Sequence, residues 1–250
     1  MATFDVKNIG HLRPAVPREE TMPSPCAACS IRHLTLCAAL QENEVQEMAA
    51  IVTTMEVGAG EPLIDEGQPA THVFNVTSGA VRVYKLLIDG RRQMTGFLFP
   101  GDFLGLANEE TYAYSAEAVT ASTVCRFPRR KVEGLLTKYP KMERRLLGMA
   151  SHELAAAQEQ MLLLGRKNAR EKIASFLLML SRRAEQRGLR ADPIFVPMSR
   201  NDIGDYLGLT TETVSRTFSD FKSKGAIELL PAGKVRLAQR EHLEEIAEGA

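Results

Sequence analysis

Residues 198–225, MSRNDIGDYLGLTTETVSRTFSDFKSKG, divide at Gly208 into two helical segments. Each opens on a hydroxyl residue able to cap free backbone amides: Ser199 for the first, Thr210 or Thr211 for the second. In the first segment Ile203, Tyr206 and Leu207 share a face. In the second Val214, Phe218 and Phe221 do the same, leaving Glu212, Ser215, Arg216 and Ser219 on other faces. AIELLPAGKVRLAQ (226–239) then reads as two short strands around Pro231, Ala232, Gly233 and Lys234, a small basic-tipped wing. Helix, short glycine-containing turn, helix and hairpin in this order make a winged helix-turn-helix.

In that setting the second helix is a candidate reader of double-stranded DNA. Glu212, Ser215 and Arg216 are spaced i, i+3, i+4 and project together. Arginine can donate twice to guanine, a carboxylate accepts from the cytosine amino group, and a hydroxyl serves either role. On an isolated helix the trio would read as a solvated face with an internal charge pair; its position in a helix-turn-helix favours base reading. Lys222, Lys224 and Lys234 are candidate phosphate contacts. Charge agrees. The whole chain is neutral, with 31 Lys+Arg against 31 Asp+Glu, but residues 166–250 carry 15 against 12 and residues 1–165 carry 16 against 19.

Upstream, from Pro140 to about Gly188, the period is helical. Leu147, Ala150, Leu154, Ala157, Met161 and Leu164 alternate in steps of three and four, an a/d seam. The seam is narrow and its alanines let two identical helices approach closely, which favours a homodimer over a helix packed on its own domain. Further upstream, from Glu56 to Phe127, short apolar runs (HVFNV, AVRVYKLL, MTGFLF, STVCRF) are cut by glycines and by tight turns at 78–79, 89–90 and 100–102. They read as strands of a compact antiparallel barrel or sandwich. Residues 1–25, rich in proline and polar groups, form a loosely held lead-in without periodicity.

The chain has 250 residues, 44% apolar and 25% charged, the composition of a folded soluble protein. Its opening lacks the apolar run of a secretory signal and no stretch is long enough to span a bilayer, so a cytoplasmic protein without membrane association is expected. Of its four cysteines, Cys26, Cys29 and Cys37 crowd one segment as C-x2-C-x7-C, and Cys125 lies far off on a strand. In a reducing compartment such a cluster points to metal or redox chemistry. Four thiolates suit either a [4Fe-4S] cluster or structural zinc, and spacing alone does not separate them. His33, inside the cysteine loop, is expected to be a surface histidine.

MSRNDIGDYLGLTTETVSRTFSDFKSKG, together with MLLLGRKNAREKIASFLLMLSRRAEQRG (161–188) and TGFLFPGDFLG (95–105), resembles the cyclic-AMP receptor / fumarate-and-nitrate-reduction regulator superfamily over essentially the whole chain. The resemblance implies an α+β fold. A cysteine-bearing segment (1–45) would precede a cyclic-nucleotide-binding-like β-roll (46–139), a dimerisation helix (140–166), a winged helix-turn-helix domain (167–240) and a C-terminal tail (241–250).

Glu212, Ser215 and Arg216 with N-terminal cysteines look like the oxygen-sensing iron-sulfur branch of the alphaproteobacterial kind. That implies a global transcription regulator, not an enzyme. A labile [4Fe-4S] cluster on Cys26, Cys29, Cys37 and Cys125 would permit anaerobic binding to palindromic TTGAT-like sites. A turn of the roll would contact RNA polymerase, with Asp89, Gly90 and Arg91 the candidate. Cyclic-nucleotide-binding relatives hold the phosphate with an arginine and a serine after this PGDF-G turn. Here residues 93–125 contain no Lys, Arg or His, and Glu109, Glu110 and Glu117 add negative charge, so no cyclic nucleotide is expected. The rival is a constitutive DNA-binding dimer with zinc on the same cysteines. A cysteine-nucleophile or iron-sulfur enzyme lacks the spacing and the His and acid partners such chemistry needs.

Overall fold

The computed structural model describes residue 26 and residues 28–105 and 110–249. The lead-in over 1–25 and Glu109 lie outside the described residues. Among the described residues eight strands form the roll: β1 Thr53–Val57, β2 Pro62–Ile64, β3 His72–Ser78, β4 Val81–Leu86, β5 Arg92–Leu98, β6 Phe103–Leu104, β7 Ser115–Ala118 and β8 Ser122–Pro128. They pair antiparallel in two sheets of order β1-β8-β3-β6 and β2-β7-β4-β5. Alternate residues, such as Val81 and Val83 of β4, fill the space between the sheets with Phe74, Val76, Leu104 and Val124.

β3 is buried on both faces. Phe74 and Val76 enter the roll core, whereas Val73 joins a second core with Phe127, Cys26, Leu36 and Cys37. That second core is closed by α1 Glu42–Ala49, α2 Arg129–Lys138 and the start of α3 Pro140–Arg166, through Val45, Met48, Val132, Leu135 and Met142. The described part of the cysteine segment is thus a packed cap over one outer face of the roll. Gly101, at φ 100° in the 100–102 turn, abuts it: a Cβ there would lie 2.7 Å from Leu34 Cβ.

Of the 27 residues of α3 only Met142 is buried. The C-terminal domain follows, with α4 Ala169–Gln186, β9 Ile194–Phe195, α5 Arg200–Leu207, α6 Thr211–Ser223, β10 Glu228–Leu230, β11 Lys234–Arg236 and α7 Arg240–Glu248. The wing is a three-stranded sheet, β10-β11-β9, one strand more than the expected hairpin. Residues 241–250, expected as a tail, instead belong mostly to α7. Its Leu243, Ile246 and Ala247, on one helical face, are buried in the same core as α4. With that correction, the α+β order of roll, long helix and winged helix-turn-helix is the expected one.

Candidate DNA-reading surface and cysteine site

Thr210 is the cap of α6, its hydroxyl accepting from Thr213 N at 3.2 Å, and Ser199 caps α5 by accepting from Asp202 N at 3.0 Å. Gly208, in the left-handed region at φ 63°, ends α5 and turns the chain into α6. Val214, Thr217, Phe218 and Phe221 are buried, which fixes the rotation of α6 and leaves Glu212, Ser215 and Arg216 on its solvent face. Arg200 stacks on the Phe218 ring, 3.5 Å from its centroid, and Thr211 Oγ1 donates to Asn201 Oδ1 at 3.1 Å; both contacts lock α5 to α6.

The one internal pair of the reading trio, Arg216 Nη1 to Glu212 Oε1 at 3.7 Å, is solvated and weak, so both side chains are available to a partner. Lys222 and Lys234 are exposed. Lys224 is exposed too, but its ammonium lies 2.9 Å from Asp220, which also takes Arg170 at 2.9 Å. At the wing tip Ala232 and Gly233 adopt φ 58° and 68°, presenting Lys234 at the start of β11.

Sequence reading missed how the reading unit is held on the roll. Asp202 accepts from Arg82 and Arg92, Asp205 accepts from Arg92, and Asp102 accepts from Arg183 and Arg187. Tyr206 packs against Phe97 of β5 and Phe176 of α4 at 5.3 and 5.7 Å between ring centroids. Arg82 also pairs with Glu117. Glu117 therefore does not add the uncompensated negative charge expected of it, whereas Glu110 is exposed.

All four sequence-predicted cysteines line one recess, shared with Arg32, Thr35, Asn75 and Thr77. Cys26 and Cys37 are buried, Cys29 and Cys125 half-buried. Among the described residues no group of three His, Cys, Asp or Glu side chains is drawn together as a metal site, so the sulfurs face a common space without closing on one point. Burial pushes the Cys37 thiol up to about 11, against the lowering effect of the Thr35 hydroxyl, and pushes Cys125 up to about 12, with the other three cysteines adding to the rise. Several thiolates cannot share this recess unless a cation compensates them. An all-sulfur donor set around an enclosed space fits a thiolate-bound iron-sulfur cluster or zinc. His33 is exposed, as expected.

The cysteine loop is tied directly to α3. Arg145 Nε donates to Thr35 O at 3.1 Å, and its Nη2 donates to His33 O at 2.9 Å and Leu34 O at 3.1 Å. Nothing in the local sequence marks this arginine. Starting two residues on, the seam positions Leu147, Leu154 and Met161 are 67%, 61% and 63% exposed, and Ala150 and Ala157 are exposed as well. Only Leu164 is half-buried, near Gly208, so the seam does not pack on its own domain. Asp89, Gly90 and Arg91 form the exposed β4–β5 tip beside exposed Leu86, Leu87 and Ile88, with Arg91 Nε 2.7 Å from Asp89.

Two domain families match the chain: a cyclic nucleotide-binding domain over residues 54–139 and a Crp-like helix-turn-helix domain over residues 171–246. The chain is 40% identical over 222 residues to the nitrogen fixation regulation protein FixK of Bradyrhizobium diazoefficiens, across 89% of this chain and 94% of that protein. It is 41% identical over 208 residues to the transcriptional activator protein FnrL of Cereibacter sphaeroides, across 82% of this chain and 84% of that protein. Among solved structures, FixK2 from Bradyrhizobium japonicum matches with a TM-score of 0.72 and 40% identity, covering 78% of this chain and 96% of that one. Among the described residues no helix is long and apolar enough to cross a membrane.

Proposed function

The chain belongs to the Crp/Fnr family of transcription regulators, and from that premise we propose that it is an oxygen-responsive member, binding palindromic TTGAT-like DNA as a homodimer while Cys26, Cys29, Cys37 and Cys125 hold a [4Fe-4S] cluster. As a family member it is a regulator with a helix-turn-helix DNA-binding domain and not an enzyme.

The observation that carries the reading is the shared recess of the four cysteines, whose loop Arg145 ties to α3. When bound, such a cluster supplies iron that dioxygen oxidises, so retention depends on air. The chain's own residues do the rest. The cysteines bind, and the Arg145 guanidinium transmits the position of the 33–35 backbone to the helix carrying the exposed seam. A few kcal/mol of differential stability between the two arrangements of this segment is enough to shift a monomer–dimer population. Two seams packed together would set two α6 helices about one helical turn of DNA apart, which a palindrome requires.

Arg216, Glu212 and Ser215 then read base edges, and Lys222, Lys224 and Lys234 contact phosphates. The lack of a basic residue across 93–125 supports a signal that is not a cyclic nucleotide. The exposed tip at Asp89, Gly90 and Arg91 is the surface offered to RNA polymerase.

Purification without air, followed by iron, inorganic sulfide and zinc analysis, tests the reading. Iron and sulfide in equal amounts with visible absorbance support it. Stoichiometric zinc with no colour replaces it by a constitutive dimer with a structural metal.

A further inference from the structure

Among the described residues lining the recess, one side chain carries a buried polar atom without a hydrogen-bond partner. Of the polar groups lining it, Arg32 donates to Leu40 O at 2.7 Å and to Glu42 at 2.9 Å, Thr35 donates to Arg32 O at 3.0 Å, and Thr77 donates to Thr123 O at 2.9 Å. Asn75 is 2% exposed, and its Oδ1 is buried with no hydrogen-bond partner among the described residues. Asparagine is disfavoured within strands, and burying an unpartnered amide is destabilising. Asn75 nevertheless sits in β3 at the register position directly opposite Cys125 of β8, so both side chains leave the sheet on the same face, into the same recess. The two ends of the amide exchange by a half-turn about its last bond. Facing thiolates, the N–H end is the favoured one.

We propose that Asn75 is a positioning residue for the sulfur-ligated group, its side-chain amide donating a hydrogen bond to sulfur on the Cys125 side of the site. This rests on the cluster-binding reading above. Hydrogen bonds to the sulfurs are among the terms that set an iron-sulfur potential, stabilising the more electron-rich form. Losing this donor should lower the potential and make oxidation in air easier, without removing a ligand.

The test uses the full chain purified under nitrogen, as the parent and as Asn75→Leu. Iron and sulfide per chain are measured first, then the midpoint potential by mediated titration, then the loss of visible absorbance in air. Asn75→Leu is expected to keep the parental iron and sulfide, to show a lower potential, and to bleach about tenfold faster. Its metal-free form is expected to melt no lower than the parent, because an orphaned polar group has been removed; a purely structural asparagine would give the reverse. If Asn75→Leu does not fold, the isosteric pair Asn75→Thr and Asn75→Val decides, with the valine variant bleaching faster than the threonine variant. Parental potential and bleaching in Asn75→Leu, or identical behaviour of the Thr and Val variants, overturns the proposal. A parent chain without iron and sulfide fails at the first measurement and removes the cluster reading itself, and this proposal with it.

Discussion

Asp202, only 2% exposed in the first turn of α5, accepts a hydrogen bond from Arg82 Nη1 of β4 at 3.1 Å, joining the roll to the DNA-reading unit across 120 residues of chain. Arg92 Nη2 reaches the same carboxylate oxygen at 2.9 Å, and Ser199 Oγ donates to Oδ2 at 2.7 Å. A carboxylate so withdrawn from water is tolerable only because its partners are fixed. The orientation of α5, and through Gly208 that of α6, is therefore set partly by the roll.

Arg82→Ala should accordingly destabilise the chain by roughly 3 kcal/mol, near the low end for a broken buried pair because Arg92 remains. Urea unfolding would read this. A change below a few tenths of a kcal/mol would mean that Arg92 alone satisfies Asp202. Asp202→Asn in the Arg82→Ala background should recover part of the loss, since the unpartnered buried charge is gone.

Arg216→Ala should reduce DNA affinity by roughly 1–3 kcal/mol and relax discrimination at one G·C pair of each half-site. Lys222→Ala should weaken all sequences alike and flatten the salt dependence. Because Lys224 is already engaged by Asp220, Lys224→Ala should have the smaller effect of the two lysines. Binding-site selection on the Arg216 variant checks the first statement; unchanged base preference would remove Arg216 from readout.

Ala157→Asp places a charge in the middle of the exposed seam, where two identical helices would bring it next to its own copy. Monomers should be favoured through desolvation and repulsion, DNA affinity should fall, and iron content should hold, since the recess is elsewhere. Anaerobic sedimentation with iron analysis reads both. A dimer as stable as the parent would mean that this seam is not the interface.

The buried thiols give a pH signature of known sign. Cys37 and Cys125 stand at about 11 and 12, above the ordinary 9.0, because burial disfavours their charged forms. At neutral pH both are protonated without metal, and ligation must release those protons. Retention against a chelator under nitrogen should thus weaken as pH falls from mildly alkaline to mildly acidic. In the metal-free chain the sign reverses. The protonated thiols favour the fold, and that contribution, intact below the ordinary thiol pKa, is lost as pH rises toward 11 and 12.

The helix-turn-helix was legible because its signals are local: capping hydroxyls at Ser199 and Thr210, a glycine at 208, and apolar residues at helical spacing in α6. The strand runs and the four cysteines were legible for the same reason. Arg145, Asn75 and the Arg82–Asp202 pair were not, because each acquires its role from a partner 50 to 120 residues away, which no periodicity encodes. α7 was missed because REHLEEIAE has few apolar residues; Leu243, Ile246 and Ala247 become a packing face only once α4 is beside them.

The proposed function makes what the four cysteines hold govern DNA binding. Its most direct test is the affinity of protein purified without air for a palindromic TTGAT-type duplex, measured before and after exposure to air, with iron determined on the same samples. Iron loss accompanied by dissociation into monomers and a fall in affinity of roughly tenfold or more is the predicted result. Equal affinity in the iron-replete and iron-free samples would contradict it.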